Sequence, residues 1–326
     1  MNQFQVSSVH YYSFINFTYS SLFLLLSIIF LPQPGNAIPI SQSLQTTQKL
    51  EPTQQLINQD KIEQILQEAI KLYEQKTPES RRESIRKLEE VLILQKKADD
   101  KFGEAHTLAN IGLSYSSLEE NQKALSYYTS ALSLFREIRD KAGEAFTLNK
   151  IGEVYETLTE KDKALEYFKL ALTLARTAGD KDKEGNTLYN LGRVYFTLGE
   201  KQKALSALNQ ALPIYQSLND QLEKAKILNQ IALVYSDLGE KQKALFLLNQ
   251  TLAIFQAVNS KVEEAVTLNN IGKIYSDLEK KEEALKYYNS ALFMFRGLGH
   301  QAGETLVINN IKAMEVEKKS TPPLSI

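Results

Sequence analysis

Any chemistry in this chain would have to come from few side chains. Histidine occurs three times, at His10, His106 and His300, and cysteine does not occur. Without cysteine there is no disulfide, no thiol nucleophile and no thiolate metal site. His10 lies near the start, and most of the chain separates His106 from His300, so the three cannot gather round one metal ion. Carboxylates are plentiful, but they interleave with lysines, as in KEEALK at 281–286, the pattern of solvated helix faces. The glycines recur singly inside apolar stripes and build no phosphate-cradling loop. No set of nucleophile, base and orienting group can be assembled, so neither an enzyme nor a bound metal or cofactor is expected.

One polar pattern remains. Asn110, Lys150, Asn190, Gln230, Asn270 and Asn310 follow one another at steps of forty residues. All can donate a hydrogen bond, and five are amides, which offer donor and acceptor together. On one shared face such a row can pair with the backbone of an extended peptide, whatever its sequence. It can also work internally, because asparagine bonds readily to neighbouring groups, and then it would tie repeat to repeat. The two uses stay open and are compatible. Three residues further on stand Leu113, Glu153, Arg193, Leu233 and Lys273. Arg193, with Lys150 or Lys273, would suit an acidic ligand; solvated charge is the plainer reading.

The step of forty belongs to the whole chain. Blocks 101–140, 141–180, 181–220, 221–260 and 261–300 are variants of one unit, with a worn copy before them and a partial copy after. A fixed period of this length means an array of supersecondary units. In the first clear block, Leu108, Ile111, Gly112, Tyr115 and Leu118 recur at helical spacing. After a polar break, Ala124, Leu125, Tyr128, Ala131, Leu132, Phe135 and Ile138 form a second stripe. The unit is therefore an antiparallel helix hairpin. Gly112, Gly152, Gly192 and Gly272, with Ala232 in the fourth block, share one position in the first helix. Ala124, Ala164, Ala204, Ala244 and Ala284 share one in the second. Glycine inside a helix costs about 1 kcal/mol against alanine, so its recurrence predicts close helix approach. Tyr115, Tyr155, Tyr195, Tyr235 and Tyr275 are expected to fill the space beside it.

This pattern resembles the tetratricopeptide repeat. Phrases such as TLNNIGKIYSDL (267–278) and LGEKQKAL (198–205, 238–245) carry the likeness, over roughly 61–314. The forty-residue form is similar to arrays of kinesin light chains and cell-polarity adaptors. It looks most like the exported cyanobacterial arrays that are often fused to a caspase-like peptidase domain. The resemblance implies an all-α, right-handed superhelical solenoid whose first helices line a concave wall. Asparagine ladders in other members match the row at 110–310. In the chaperone-adaptor branch an asparagine at the Leu113 position and its equivalents clamps a terminal carboxylate; none is asparagine here, so that clamp is not expected.

Net charge is −1, from 38 basic and 39 acidic residues, and no basic block argues for nucleic acid. Residues 1–37 stand apart. SLFLLLSIIFL at 21–31 is apolar, Pro32 and Pro34 break it, and Gly35-Asn36-Ala37 supplies small residues, so a signal cleaved after Ala37 and export are expected. No lysine or arginine precedes the run, and the rival reading is an uncleaved anchor over 14–31, the one membrane contact expected. Residues 38–58 read as linker, 59–100 as a degenerate capping hairpin, 301–318 as a cap helix and 319–326 as tail. Asp100, Asp140, Asp180, Asp220 and Ser260 are expected to cap the first helices, and His300 is not, which would leave the last junction weaker. Gly199 and Gly239 suit left-handed stops, and Pro213 is expected to kink its helix. The expected function is a non-catalytic scaffold for a protein or extended peptide. The alternatives are the sensor half of a split caspase-like peptidase system, or a self-assembling array.

Overall fold

The computed structural model describes residues 52–320. Among them thirteen helices follow one another: α1 (Pro52–Glu74), α2 (Pro78–Lys97), α3 (Lys101–Ser117), α4 (Asn121–Glu137), α5 (Lys141–Thr157), α6 (Lys161–Ala178), α7 (Lys181–Thr197), α8 (Lys201–Ser217), α9 (Gln221–Asp237), α10 (Lys241–Ala257), α11 (Lys261–Asp277), α12 (Lys281–Gly297) and α13 (Gln301–Ser320). The class is all-α, as expected. The leader at 1–37, the linker before Pro52 and the tail after Ser320 lie outside the described residues. α1 starts inside the stretch read as linker, with proline first, where a missing N–H interrupts no helical bond. α8 runs through Pro213, which lacks the N–H for one intrahelical bond.

The described residues fall into two compact units, divided after Leu158. In the first, α1 pairs with α2 and α3 with α4, and α5 packs on α4. In the second, α7 pairs with α8, α9 with α10 and α11 with α12; α6 packs on α7, and α13 on α12. Connections of two or three residues force each pair antiparallel.

Every connection turns on one residue of positive φ. Gly199 and Gly239 do so at 76° and 84°, as expected, but Glu119 (59°), Thr159 (62°) and Glu279 (59°) hold the same geometry with a side chain. A left-handed residue with a Cβ costs roughly 1–2 kcal/mol, and β-branched threonine suffers most. Thr159→Gly is therefore expected to raise stability by about 1 kcal/mol, read as a higher melting temperature. A lower one would contradict the turn geometry.

The first helices start as the aspartates dictate. Asp100 accepts from Gly103 N at 2.8 Å, Asp140 from Ala142 N and Gly143 N at 3.0 Å, and Asp180 and Asp220 from the amides of Lys183 and Glu223 at 3.0 Å. Two expectations need correcting. Ser260 makes no capping bond, because its hydroxyl donates to the Glu263 carboxylate at 2.5 Å. His300 does cap: its Nδ1 accepts from Gly303 N at 2.9 Å.

The core lies between hairpin layers. The repeated alanines at 124, 164, 204, 244 and 284 are fully buried. The glycines have a partner other than the expected one. A Cβ on Gly112 would meet the Tyr128 ring at 2.8 Å, one on Gly272 the Tyr288 ring at 2.7 Å, and one on Gly192 Leu208 Cγ at 2.6 Å. Tyr115 and Tyr275 instead stack on Tyr127 and Tyr287, with centroids 5.4 Å apart, and stay half-exposed. The rings sit one turn along the helix from the glycine, so they meet the second helix nearer the turn.

Candidate binding surface

The polar row lies on first helices only. Asn110 and Lys150 belong to α3 and α5 of the first unit; Asn190, Gln230, Asn270 and Asn310 belong to α7, α9, α11 and α13 of the second. One register on helices stacked in succession puts each set on one side of its unit. The rungs differ in surroundings. Asn110 and Asn190 are buried, at 5% and 3% exposure. Asn190 Nδ2 lies 3.5 Å from Asn186 Oδ1 on its own helix. Gln230, Asn270 and Asn310 are half-buried.

Two rungs point sideways, into the stack. Asn270 Nδ2 donates to Asn229 Oδ1 at 3.1 Å, and Asn310 Nδ2 donates to Asn269 Oδ1 at 2.8 Å. Asn229 Nδ2 in turn donates to Thr267 Oγ1 at 2.7 Å, and Thr267 donates to the Glu263 carbonyl at 2.8 Å. α9 is thus laced to α11, and α11 to α13, by side-chain amides. The acceptors Asn229 and Asn269 were not among the expected site residues. Their signal is the adjacent amide pair, Asn229-Gln230, Asn269-Asn270 and Asn309-Asn310, recurring at the step of forty. Asn270 and Asn310 each spend one amide proton on such a bond, and an amide offers a second proton and a carbonyl besides.

The cations divide. Lys150 donates to both Glu153 oxygens at 3.0 and 2.8 Å, so a carboxylate three residues away already neutralises it. Arg193 stacks its guanidinium 5.8 Å from the Tyr189 ring centre. Lys273 is exposed, and among the described residues it has no ion-pair partner.

A second device repeats at the junctions between hairpins. Arg136 bonds Glu144 at 2.9 Å, Arg176 bonds Glu184 at 2.8 Å and Arg296 bonds Glu304 at 2.8 Å. Gln256 bonds Glu264 likewise at 3.0 Å. Each joins the end of a second helix to the start of the next first helix, eight residues on. Burial alone would raise the Glu144 and Glu184 carboxyls, but the cations, Arg136 with Lys141 and Arg176 with Lys181, outweigh it and hold both below the usual range. At 216 and 224 the pair is Gln and Lys, so the junction of α8 and α9 lacks this clamp.

The second unit therefore offers a face of half-committed amides. The sequence pattern of the tetratricopeptide repeat matches residues 103–177, 143–217 and 223–296. No protein with a curated description matches the chain. Solved structures do. A Rap protein complexed with competence and sporulation factor is 16% identical, over 83% of this chain and 78% of its own, with a TM-score of 0.64. The apo form of RapI is 17% identical, over 80% and 100%, at 0.62. BtubC from P. vanneervenii is 19% identical, over 69% and 92%, at 0.57. At these identities the likeness is one of fold.

Proposed function

Since the chain belongs to the tetratricopeptide repeat family, we propose that it is a non-catalytic scaffold that holds an extended peptide or protein segment against the first-helix face of its second unit. The observation that carries this reading is the state of Gln230, Asn270 and Asn310. They are half-buried, and each of the two asparagines has one amide proton fixed on a neighbour. A fixed amide is already oriented, so pairing it with a peptide backbone loses little side-chain entropy. The internal tie and the binding role then support one another. Lys273, exposed and without an ion-pair partner among the described residues, lies on the same helix as Asn270 and favours a ligand with a carboxylate nearby. The Rap protein complexed with a competence and sporulation factor is a precedent for the fold as a binder.

The test separates surface from scaffold. The ligand is first identified by cross-linked pull-down with the full chain. Lys273→Glu is then expected to weaken its binding about tenfold at unchanged melting temperature, because the exposed side chain bonds no other described residue. Asn270→Ala is expected to lower both. Binding indifferent to both substitutions, with melting lowered by Asn270→Ala, would reduce the row to a structural tie and end the proposal.

A further inference from the structure

The start of α13 differs in chemistry from the other first helices. Asp100, Asp140, Asp180 and Asp220 close their first turns with a carboxylate, which accepts hydrogen bonds across the neutral and mildly acidic range. At α13 the acceptor is a ring nitrogen: Gly303 N donates to His300 Nδ1 at 2.9 Å. A ring nitrogen accepts only while it carries a lone pair. Once protonated, both imidazole nitrogens are donors. Nδ1–H would then face the Gly303 N–H, donor against donor. The new positive charge would also sit at the positive end of the helix dipole. Imidazole is the side chain that makes this change between about pH 5 and 8.

The groups around His300 are an aromatic ring and an ion pair. The Phe295 ring lies beside it, centroids 5.2 Å apart. Arg296 and Glu304, on either side of it in the chain, are paired with each other at 2.8 Å, so that carboxylate is engaged. From the preceding first helix, the residue that approaches an N-cap is six places into the block. His106 does so toward Asp140, 3.8 Å away. Before His300 that place is Val266 on α11, which brings no charge.

We infer that His300 is a proton-sensitive latch on α13: the neutral ring closes the first turn, and the protonated ring opens it. Beyond the latch, α13 is held by Val307 and Met314 against Tyr288, Ala291 and Phe295, and by the Arg296–Glu304 pair. Opening therefore begins at Gln301–Glu304 and uncovers the side of Phe295 that Gly303 covers, where an added Cβ would lie 2.5 Å from the ring. The neutral ring can accept the Gly303 N–H and the protonated ring cannot, so the bond belongs to the unprotonated state alone.

The experiment is amide hydrogen exchange on the full chain at pH 7.5 and pH 5, corrected for intrinsic rates and read over 301–312. Protection in the native chain is expected to fall about fivefold on acidification, the size of a lost N-cap. In His300→Asp, which restores the residue of four other junctions, the fall is expected to vanish. His300→Ala should lack the extra protection at both pH values, and His106→Gln should keep the native response. Equal pH dependence in the native chain and His300→Asp would overturn the inference, as would a response abolished by His106→Gln.

Discussion

Replacing Asn229 by alanine is expected to lower stability by about 2 kcal/mol, whereas Asn309→Ala changes it by less than about 0.5 kcal/mol. The two residues share type and register. Asn229 on α9 is 9% exposed and makes two bonds to α11, giving a proton to Thr267 Oγ1 and accepting one from Asn270. Alanine leaves Asn270 one bond short and strips the fully buried Thr267 of its donor. The threonine still gives its own proton to the Glu263 carbonyl, so the loss stops short of a wholly orphaned hydroxyl. Asn309 on α13 is exposed, and no further helix follows it among the described residues. Urea midpoints for the two variants decide the matter. Equal, small shifts would mean that the amides do not lace the hairpins together.

The features legible in the sequence are those that repeat because each hairpin must bury the same face. The helix pairs, the buried alanines and the aspartate caps all follow from spacing and side-chain type. What was not legible depends on competition between neighbours. Ser260 looks like a cap until the Glu263 carboxylate, three residues on, takes its proton. His300 looks unlike one, since its capping depends on which ring nitrogen is bare. Of two adjacent amides, 269 and 270, the helix turns one about 100° from the other, so which neighbour each meets depends on how the hairpins lean. The clamp of Arg136 on Glu144 crosses a turn, where neither helical nor strand spacing applies. The spacing of the candidate row says nothing of its division into buried rungs (Asn110, Asn190) and half-open ones (Gln230, Asn270, Asn310), which packing decides.

The same packing makes Gly272→Ala a costly change that a second substitution should rescue. An alanine in a helix is favoured over glycine by about 1 kcal/mol, so on propensity alone the variant would be more stable. The Tyr288 ring forbids it: a Cβ on Gly272 would lie 2.7 Å from Cδ1 and 2.9 Å from Cε1. Tyr288 is itself 2% exposed, and its planar ring has nowhere to turn. Overpacking of this kind costs about 1–3 kcal/mol, and a net loss of about 2 kcal/mol is expected. The chain already contains the remedy. In the fourth block the glycine is Ala232 and the residue sixteen places on is Leu248; the first, second and fifth blocks carry Tyr128, Phe168 and Tyr288 there, and the third carries Leu208 opposite Gly192. Ala232 and Leu248 are both fully buried in one cluster. A leucine can swing its branch to another staggered position, which a ring cannot. Tyr288→Leu alone should cost about 2 kcal/mol for the lost ring. Gly272→Ala added to Tyr288→Leu should then be neutral or stabilising by up to about 1 kcal/mol. The double-mutant cycle should therefore give a coupling of about 2 kcal/mol or more. Strictly additive losses would mean that the glycine is kept for its backbone and not for the ring above it.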